Sequence, residues 1–169
     1  MTQLQMVAPE LRVLDDSPAD VLVLTTFSDE RPLEGLTGLV DWRLCGAISG
    51  WKQDGLVSGE YGEQMLYPTR RLSHPRVLLM GLGARAEHRS DRAFALARQA
   101  LDAAVALGAA SVTTPLFGLD QLASPLERSG AKLVEILKSF KALTRVALVV
   151  DESEQKLVKD GIGFYTGRL

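Results

Sequence analysis

The sequence predicts an α/β domain built on a mixed, mostly parallel sheet, and three observations carry that reading. Arg76 to Met80 is a short, mostly apolar run between Pro75 and the glycines Gly81 and Gly83, as expected of a central strand buried on both faces and ended by a tight turn. From Ser90 onward the spacing becomes helical, with Phe94, Ala97, Leu101 and Ala104 at three- and four-residue intervals and Val105 and Leu107 extending the apolar face. After Gly108, a natural helix stop, Ser111 to Phe117 returns to a strand-like run. Ligands of such alternating sheets sit beyond the carboxyl ends of the strands.

Taken in order, Leu11 to Leu14 and Val21 to Phe27 are leucine-rich and β-branched runs separated by Asp15-Asp16-Ser17-Pro18, and read as two strands joined by a turn. Residues 28 to 35 are polar, with Pro32 and Gly35. Leu36, Leu39, Val40, Leu44, Ala47, Ile48 and Trp51 then recur at helical spacing, which predicts one helix over residues 36–52. Gly38, Gly46 and Gly50 weaken it by roughly 1 kcal/mol each relative to alanine, and point to close packing there, of the sheet or of a ligand. Lys52 to Gly62 is a charged, glycine-rich loop. Glu63 to Thr69 reads as a strand that leads through Arg70 to Pro75 into the central strand, an antiparallel pair that makes the sheet mixed.

Beyond Phe117, Gly118 to Ser124 forms an exit loop. Ser124 reads as a helix cap, Pro125 as the first helical residue and Glu127 as a first-turn carboxylate. That helix runs to about Lys141, burying Leu133, Ile136, Leu137 and Phe140 and wetting Lys132, Glu135, Lys138 and Lys141. Val146 to Val150 is a strand ending at Asp151, and Glu154 to Asp160 a short terminal helix. The expected order is β-β-α-β-β-α-β-α-β-α, a single domain over residues 1–169.

Composition narrows the partners. With 169 residues, 46% of them hydrophobic, the chain has enough apolar material for one core. Its 19 Lys and Arg are spread among 21 acidic residues, for a net charge of −2, and Arg70-Arg71 is the strongest basic group, so no nucleic-acid partner is expected. No apolar run approaches the roughly 20 residues that span a bilayer, and the amino terminus lacks a charged start followed by an apolar signal core. No membrane partner and a cytoplasmic location are therefore expected. The single Cys45 cannot form an internal disulfide and reads as a small buried hydrophobe.

Little in the chain suggests chemistry. His74, His88 and Cys45 stand in unrelated settings, so no metal site and no cofactor are expected. A Gly-Lys-Ser/Thr segment is absent, and Gly81-Leu82-Gly83 is only the opening of a dinucleotide fingerprint. His88 lies in a charged turn and reads as solvated surface. Asp15, Asp16, Asp20, Asp120 and Asp151 fall at expected element ends, where carboxylates stabilise turns. Trp42 and Trp51, nine residues apart, lie about 180° apart on one helix, so one must face outward. Trp51 shares its side with Leu44, Ala47 and Ile48, which leaves Trp42, between Asp41 and Arg43, as an interface candidate for another copy or a partner domain.

The block from Leu44 to Gly83 carries a resemblance. Cys45-Gly46-Ala47-Ile48, then Gly62-Glu63 followed by an apolar pair and Pro68, then Arg-Val-Leu-Leu-Met-Gly-Leu-Gly at 76–83, resemble the amino-terminal domain of the cytosolic leucyl aminopeptidase family. The resemblance covers most of residues 11–151 and implies a three-layer α/β/α sandwich of macro-domain-like fold, with peptidase chemistry housed in a separate domain. The Asn-Thr-Asp-Ala-Glu-Gly-Arg-Leu segment and the metal-binding lysine and carboxylates of that domain have no counterpart, and Tyr165 to Leu169 shares only Gly-Arg-Leu. It therefore implies no catalytic residues and a non-catalytic role in binding, regulation or assembly, through self-association or a separate peptidase domain.

The same fold is similar to ADP-ribose-binding macro domains, which implies a small nucleotide-like ligand as the alternative. On that match Asp15 or Asp16 stands near the adenine-contacting aspartate, and Asp20 lies just ahead of the second strand. Gly46-Ala47-Ile48 resembles the first glycine-rich loop, and Pro115-Leu116-Phe117-Gly118 with Ser124-Pro125 resembles the second phosphate loop. The cleft would lie at the strand ends formed by Gly81 to Ala84, with Gly81 and Gly83, and by Leu116 to Leu122. Two departures weaken ADP-ribose binding: Leu24 to Phe27 lacks the asparagine of hydrolytic macro domains, and Leu39 to Leu44 is bulky where amides would approach a diphosphate.

Overall fold

Val21 to Leu24 and Val77 to Met80 are almost fully buried because both faces of their strands are covered, and their side chains alternate between two cores. Val21, Val23, Leu78 and Met80 belong to one, with Leu96, Ala100, Leu133 and Val158. Leu22, Leu24, Val77 and Leu79 belong to the other, with Leu14, Val40 and Ile48. The three-layer α/β/α sandwich follows from that alternation.

The computed structural model describes residues 1–165. In chain order the elements are β1 (Gln3–Val7), α1 (Leu11–Asp16), β2 (Val21–Phe27), α2 (Gly35–Arg43), α3 (Ala47–Gln53), β3 (Gln64–Pro68), β4 (Arg76–Gly83), α4 (Ser90–Ala106), β5 (Ser111–Thr114), α5 (Leu126–Ser139), β6 (Arg145–Val149) and α6 (Glu152–Tyr165), with single 3-10 turns at Arg85–Glu87 and Leu119–Gln121. The sheet runs β1-β6-β5-β2-β4-β3. All its pairings are parallel except β3 with β4, where Gln64 faces Met80 and Pro68 faces Arg76, as the hairpin-like reading expected. Among the described residues no helix is long and apolar enough to cross a membrane. The similarity at Gly167-Arg168-Leu169 falls outside the described residues.

Several expectations are corrected. Leu11 to Leu14 is not a strand but the body of α1, in which Leu14 is buried and Leu11 packs beside it at helical spacing. Four residues fit either period, and the true first strand, β1, is a half-covered edge paired with β6 from Gln3–Arg145 to Val7–Val149. The single helix over 36–52 is two helices, broken where Cys45 (φ 58°) and Gly46 (φ 78°) adopt left-handed backbone. The Asp41 carboxylate compensates: it accepts from the Ile48 and Ser49 amides at 2.7 and 3.1 Å and from Ser49 Oγ at 2.6 Å, capping α3. Cys45 is exposed rather than buried, with its Sγ 2.9 Å from Arg71 Nη1.

The glycines differ in purpose as well. A Cβ on Gly38 would come within 2.7 Å of the Leu33 carbonyl oxygen, whereas one on Gly50 would meet nothing. Ser124 does not cap α5. Pro125 takes that position, with no side-chain cap, and the helix begins at Leu126. As expected, Trp51 packs inward, its ring 4.7 Å from that of Tyr67, while Trp42 is 75% exposed.

Candidate functional site

All the parallel strands end on one side of the sheet, and their ends and exit segments enclose a cleft of about 230 Å³ between Phe27 at the end of β2 and Glu30 beyond it, Leu82 in β4, Pro115 and Gly118 after β5, and Asp151 after β6. It opens where the β2–β4 ladder shifts register at Thr26 and Phe27, an irregularity that turns the strand ends apart.

The segment after β2 is fixed from below by a buried ionic network. Glu30 is 5% exposed: its Oε2 accepts from Thr26 Oγ1 and the Phe27 amide, each at 3.0 Å, and its Oε1 from the Glu34 amide at 3.0 Å. Lys52, 4% exposed, reaches from α3 to the same segment. Its ammonium donates to Thr26 Oγ1 (2.9 Å), the Phe27 carbonyl (2.7 Å) and the Glu30 carbonyl (3.1 Å), which uses all three of its donors. Burial pulls the Lys52 pKa below its ordinary value, and the Glu30 charge opposes that shift.

The segments after β4 and β5 complete the rim. A Cβ on Gly81 would lie 2.0 Å from the Glu60 carbonyl oxygen and one on Gly83 3.2 Å from Tyr61 Cβ, so these glycines let the 59–63 loop lie on the strand. The Gly81 amide donates to the Glu63 carbonyl (2.8 Å) and the Gly83 amide to the Gly59 carbonyl (2.9 Å). Past Gly83, the Arg85 amide donates to Asp29 Oδ1 at 3.2 Å. The Arg85 guanidinium lies 4.6 Å from the Phe27 ring centroid, pairs with Glu34 at 3.1 Å and donates to Gln121 Oε1. After β5, Phe117 and Gly118 both have positive φ, 54° and 76°, which swings the Leu119–Gln121 turn over the mouth.

The charge of the cleft is one-sided. Glu30, Glu34, Asp120, Asp151 and Glu154 line it, and among the described residues no Lys, Arg or His does. Glu30 and Glu34 have cationic neighbours in Lys52 and Arg85, but Asp120, Asp151 and Glu154 crowd one another. Restricted access to water within the concave mouth raises the Asp120 pKa. Desolvation raises that of Glu154, and the Asp120 and Asp151 charges raise it further. Asp151 is lowered instead, because Ser153 Oγ (2.7 Å) and the Ser153 amide (3.0 Å) donate to Oδ1 at the start of α6. Among the described residues no group of three or more His, Cys, Asp or Glu is placed to hold a metal ion.

Of the residues singled out in the sequence, Pro115 and Gly118 line the cleft, and Gly81 and Gly83 stand at its β4 edge. Asp120 and Asp151 line it too, whereas Asp15, Asp16, Asp20 and Gly46 lie elsewhere. Asp20 precedes β2, whose seven residues place it roughly 20 Å from the cleft. There its carboxylate accepts from the Ala110 and Ser111 amides at 2.8 and 2.9 Å, bonds that hold its pKa low. Asp15 makes a bidentate pair with Arg43 at 3.1 Å, and Asp16 ends the same helix. Gly46 sits in the α2–α3 turn, beside Cys45 and Arg71 at the far end of the sheet. His88 is 6% exposed, not solvated surface. Glu30, Glu34, Arg85 and Glu154 went unread in the sequence, because only the closing of four separate loops brings them together.

No protein-family model matches the sequence, and no curated protein matches it. Solved structures with a similar fold include the macro domain of ganglioside-induced differentiation-associated protein 2 (TM-score 0.74, 14% identity, covering 99% of this chain and 86% of that one). The Trypanosoma brucei macrodomain in complex with ADP is similar at TM-score 0.71 and 19% identity, over 95% of this chain and 68% of that one. A mutant of tomato leucine aminopeptidase is similar at TM-score 0.64 and 14% identity, over 99% of this chain but 36% of that one. At these identities the likeness is one of fold. The chain has the macro-domain fold, which it shares with the amino-terminal domain of leucine aminopeptidase.

Proposed function

We propose that this chain is a non-catalytic domain of the leucine aminopeptidase amino-terminal type, acting in binding, regulation or assembly through protein contacts, and that its strand-end cleft does not serve a nucleotide diphosphate. The observation that carries this reading is the charge of the cleft. A diphosphate there would meet Asp120, Asp151 and Glu154 with no basic side chain in the lining. Each such like-charge contact opposes binding. Leu39 to Arg43, where glycine-rich backbone would be needed, is the body of α2, and that helix begins behind Glu34, a carboxylate.

Calorimetry with ADP-ribose and with ADP near neutral pH is expected to give a Kd weaker than roughly 100 μM, or about 5.5 kcal/mol. Low-micromolar binding of either compound would promote the second reading, a divergent nucleotide-binding module. That reading is supported by the fold likeness to a macrodomain solved with ADP and by a guanidinium at the rim, that of Arg85.

The protein contact is assigned to α2, where Trp42 is 75% exposed and Leu39, one turn away, is 36% exposed. Trp42→Ala is expected to reduce self-association in sedimentation runs while leaving the far-ultraviolet signal unchanged. A wild-type chain that stays monomeric at high micromolar concentration would rule out the self-association form, and an unaltered association constant in the variant would remove Trp42 from the contact.

A further inference from the structure

His88 lies immediately behind the wall of the strand-end cleft. Its Nε2 is 2.9 Å from the Phe117 carbonyl oxygen. A carbonyl only accepts, so the ring proton is on Nε2 and Nδ1 carries a free lone pair. Nδ1 is buried and has no hydrogen-bond partner among the described residues, a condition that folded proteins seldom leave without a purpose. Burial also pulls the His88 pKa below its ordinary value, with Phe117, Asp120 and Asp91 opposing the shift and Arg92 reinforcing it, which keeps the lone pair unprotonated at neutral pH.

Two cleft-lining residues separate this imidazole from the cleft. The Phe27 ring meets His88 edge-on, with centroids 5.2 Å apart and planes at 86°. Gly118 forms the rest of the wall: a Cβ there would come within 2.9 Å of His88 Nε2, so only glycine lets the imidazole sit so close. Arg85 covers Phe27 from outside. Its guanidinium stacks on the ring and is tied at once to Glu34 on the segment after β2 and to Gln121 on the turn after β5. The Arg85 and Glu34 side chains are 36% and 61% exposed, and exposed pairs of this kind are weak and easily exchanged.

We propose that Arg85 and Phe27 form a latched door between the strand-end cleft and His88, and that releasing Arg85 opens a deeper subsite in which Nδ1 accepts a hydrogen bond from a hydroxyl or amino group of a ligand. The door accounts for three otherwise separate features: the unmatched acceptor at His88, the glycine at 118, and one side chain that joins the loops following β2, β4 and β5. It holds whichever partner α2 engages, because Trp42 and Leu39 lie outside the cleft lining.

The chain has two histidines, which makes the test specific. Diethyl pyrocarbonate acylates an unprotonated imidazole nitrogen, and site-resolved mass spectrometry follows each ring separately. His74 is the internal control: it is fully buried just before β4, at the opposite end of that strand, with Thr113 Oγ1 and Ser73 Oγ within hydrogen-bond distance of its two nitrogens. Wild-type His88 should react slowly. Arg85→Ala should raise its rate by roughly fivefold or more, the population shift expected from losing a surface pair and its stacking, with His74 unchanged. Glu34→Gln keeps the guanidinium and removes only its carboxylate partner. It should give a smaller rise at the same residue, and it carries the same test should Arg85→Ala not fold. An unchanged His88 rate in Arg85→Ala, a wild-type His88 as reactive as an exposed imidazole, or a parallel rise at His74 overturns the door.

Discussion

Replacing Lys52 with methionine is expected to destabilise the domain by roughly 3–5 kcal/mol, a large share of the stability of a domain this size. The ammonium is 4% exposed and all its donors are used, on Thr26 Oγ1 and the carbonyls of Phe27 and Glu30. Methionine fills a similar volume but satisfies none of these acceptors, and it leaves the 5%-exposed Glu30 without its cationic neighbour. Part of the loss should return in the double variant Lys52→Met/Glu30→Gln, because an unpaired buried charge is worse than no charge. Urea titrations of the three proteins measure this directly. A single variant within about 1 kcal/mol of wild type would show that water reaches the network and that the β2 exit is softer than its hydrogen bonds imply. The network matters beyond stability because residues 27–34 supply Phe27, Glu30 and Glu34 to the cleft wall.

The sequence disclosed elements that bury a continuous face and missed those whose conformation depends on a neighbour. β2, β4, α4 and α5 were legible because both strand faces, or a full helical stripe, are apolar. β1 is five residues long, half covered on one edge of the sheet, and its Gln-Leu-Gln-Met-Val pattern is too short to stand out. The break between α2 and α3 was hidden for a different reason. The helical period continues through it, and only the left-handed pair Cys45-Gly46, held by the Asp41 cap, ends the first helix. Gly46 resembles part of a ligand loop in sequence, yet its residue type is explained by that turn. The cleft was half legible: Pro115, Gly118 and the β4 glycines follow from the rule that sites gather at carboxyl ends of strands. Its charge was not. Glu34, Asp120 and Glu154 are ordinary surface carboxylates in sequence, and they oppose an anionic ligand only because four loops converge.

The pH dependence of stability should be set mainly by His74. This ring is fully buried between the start of β4 and β5, and burial lowers its pKa from 6.5 to about 4, with Asp15 opposing the shift and Arg145 reinforcing it. As pH falls the unfolded chain takes up the proton first, so the stabilisation is fully present above pH 6.5 and is lost progressively down to about pH 4. The interval from 6.5 to about 4 corresponds to roughly 3 kcal/mol in all, most of it gone by about pH 4.5. His88, lowered for the same reason, adds in the same direction. Asp120 and Glu154, raised above the ordinary carboxylate range, act against it as they protonate, whereas Asp20, held low by its hydrogen bonds to Ala110 and Ser111, contributes only at more acidic pH. Urea unfolding of wild type at about pH 7.5 and pH 4.5 should therefore differ by roughly 2–3 kcal/mol, and His74→Gln, although weaker at neutral pH for want of a well-fitted partner to Thr113, should show a much flatter profile. Equal losses in the two proteins over that window would mean that the acid sensitivity resides in another group of the same sign, such as His88, and not in the His74 imidazole.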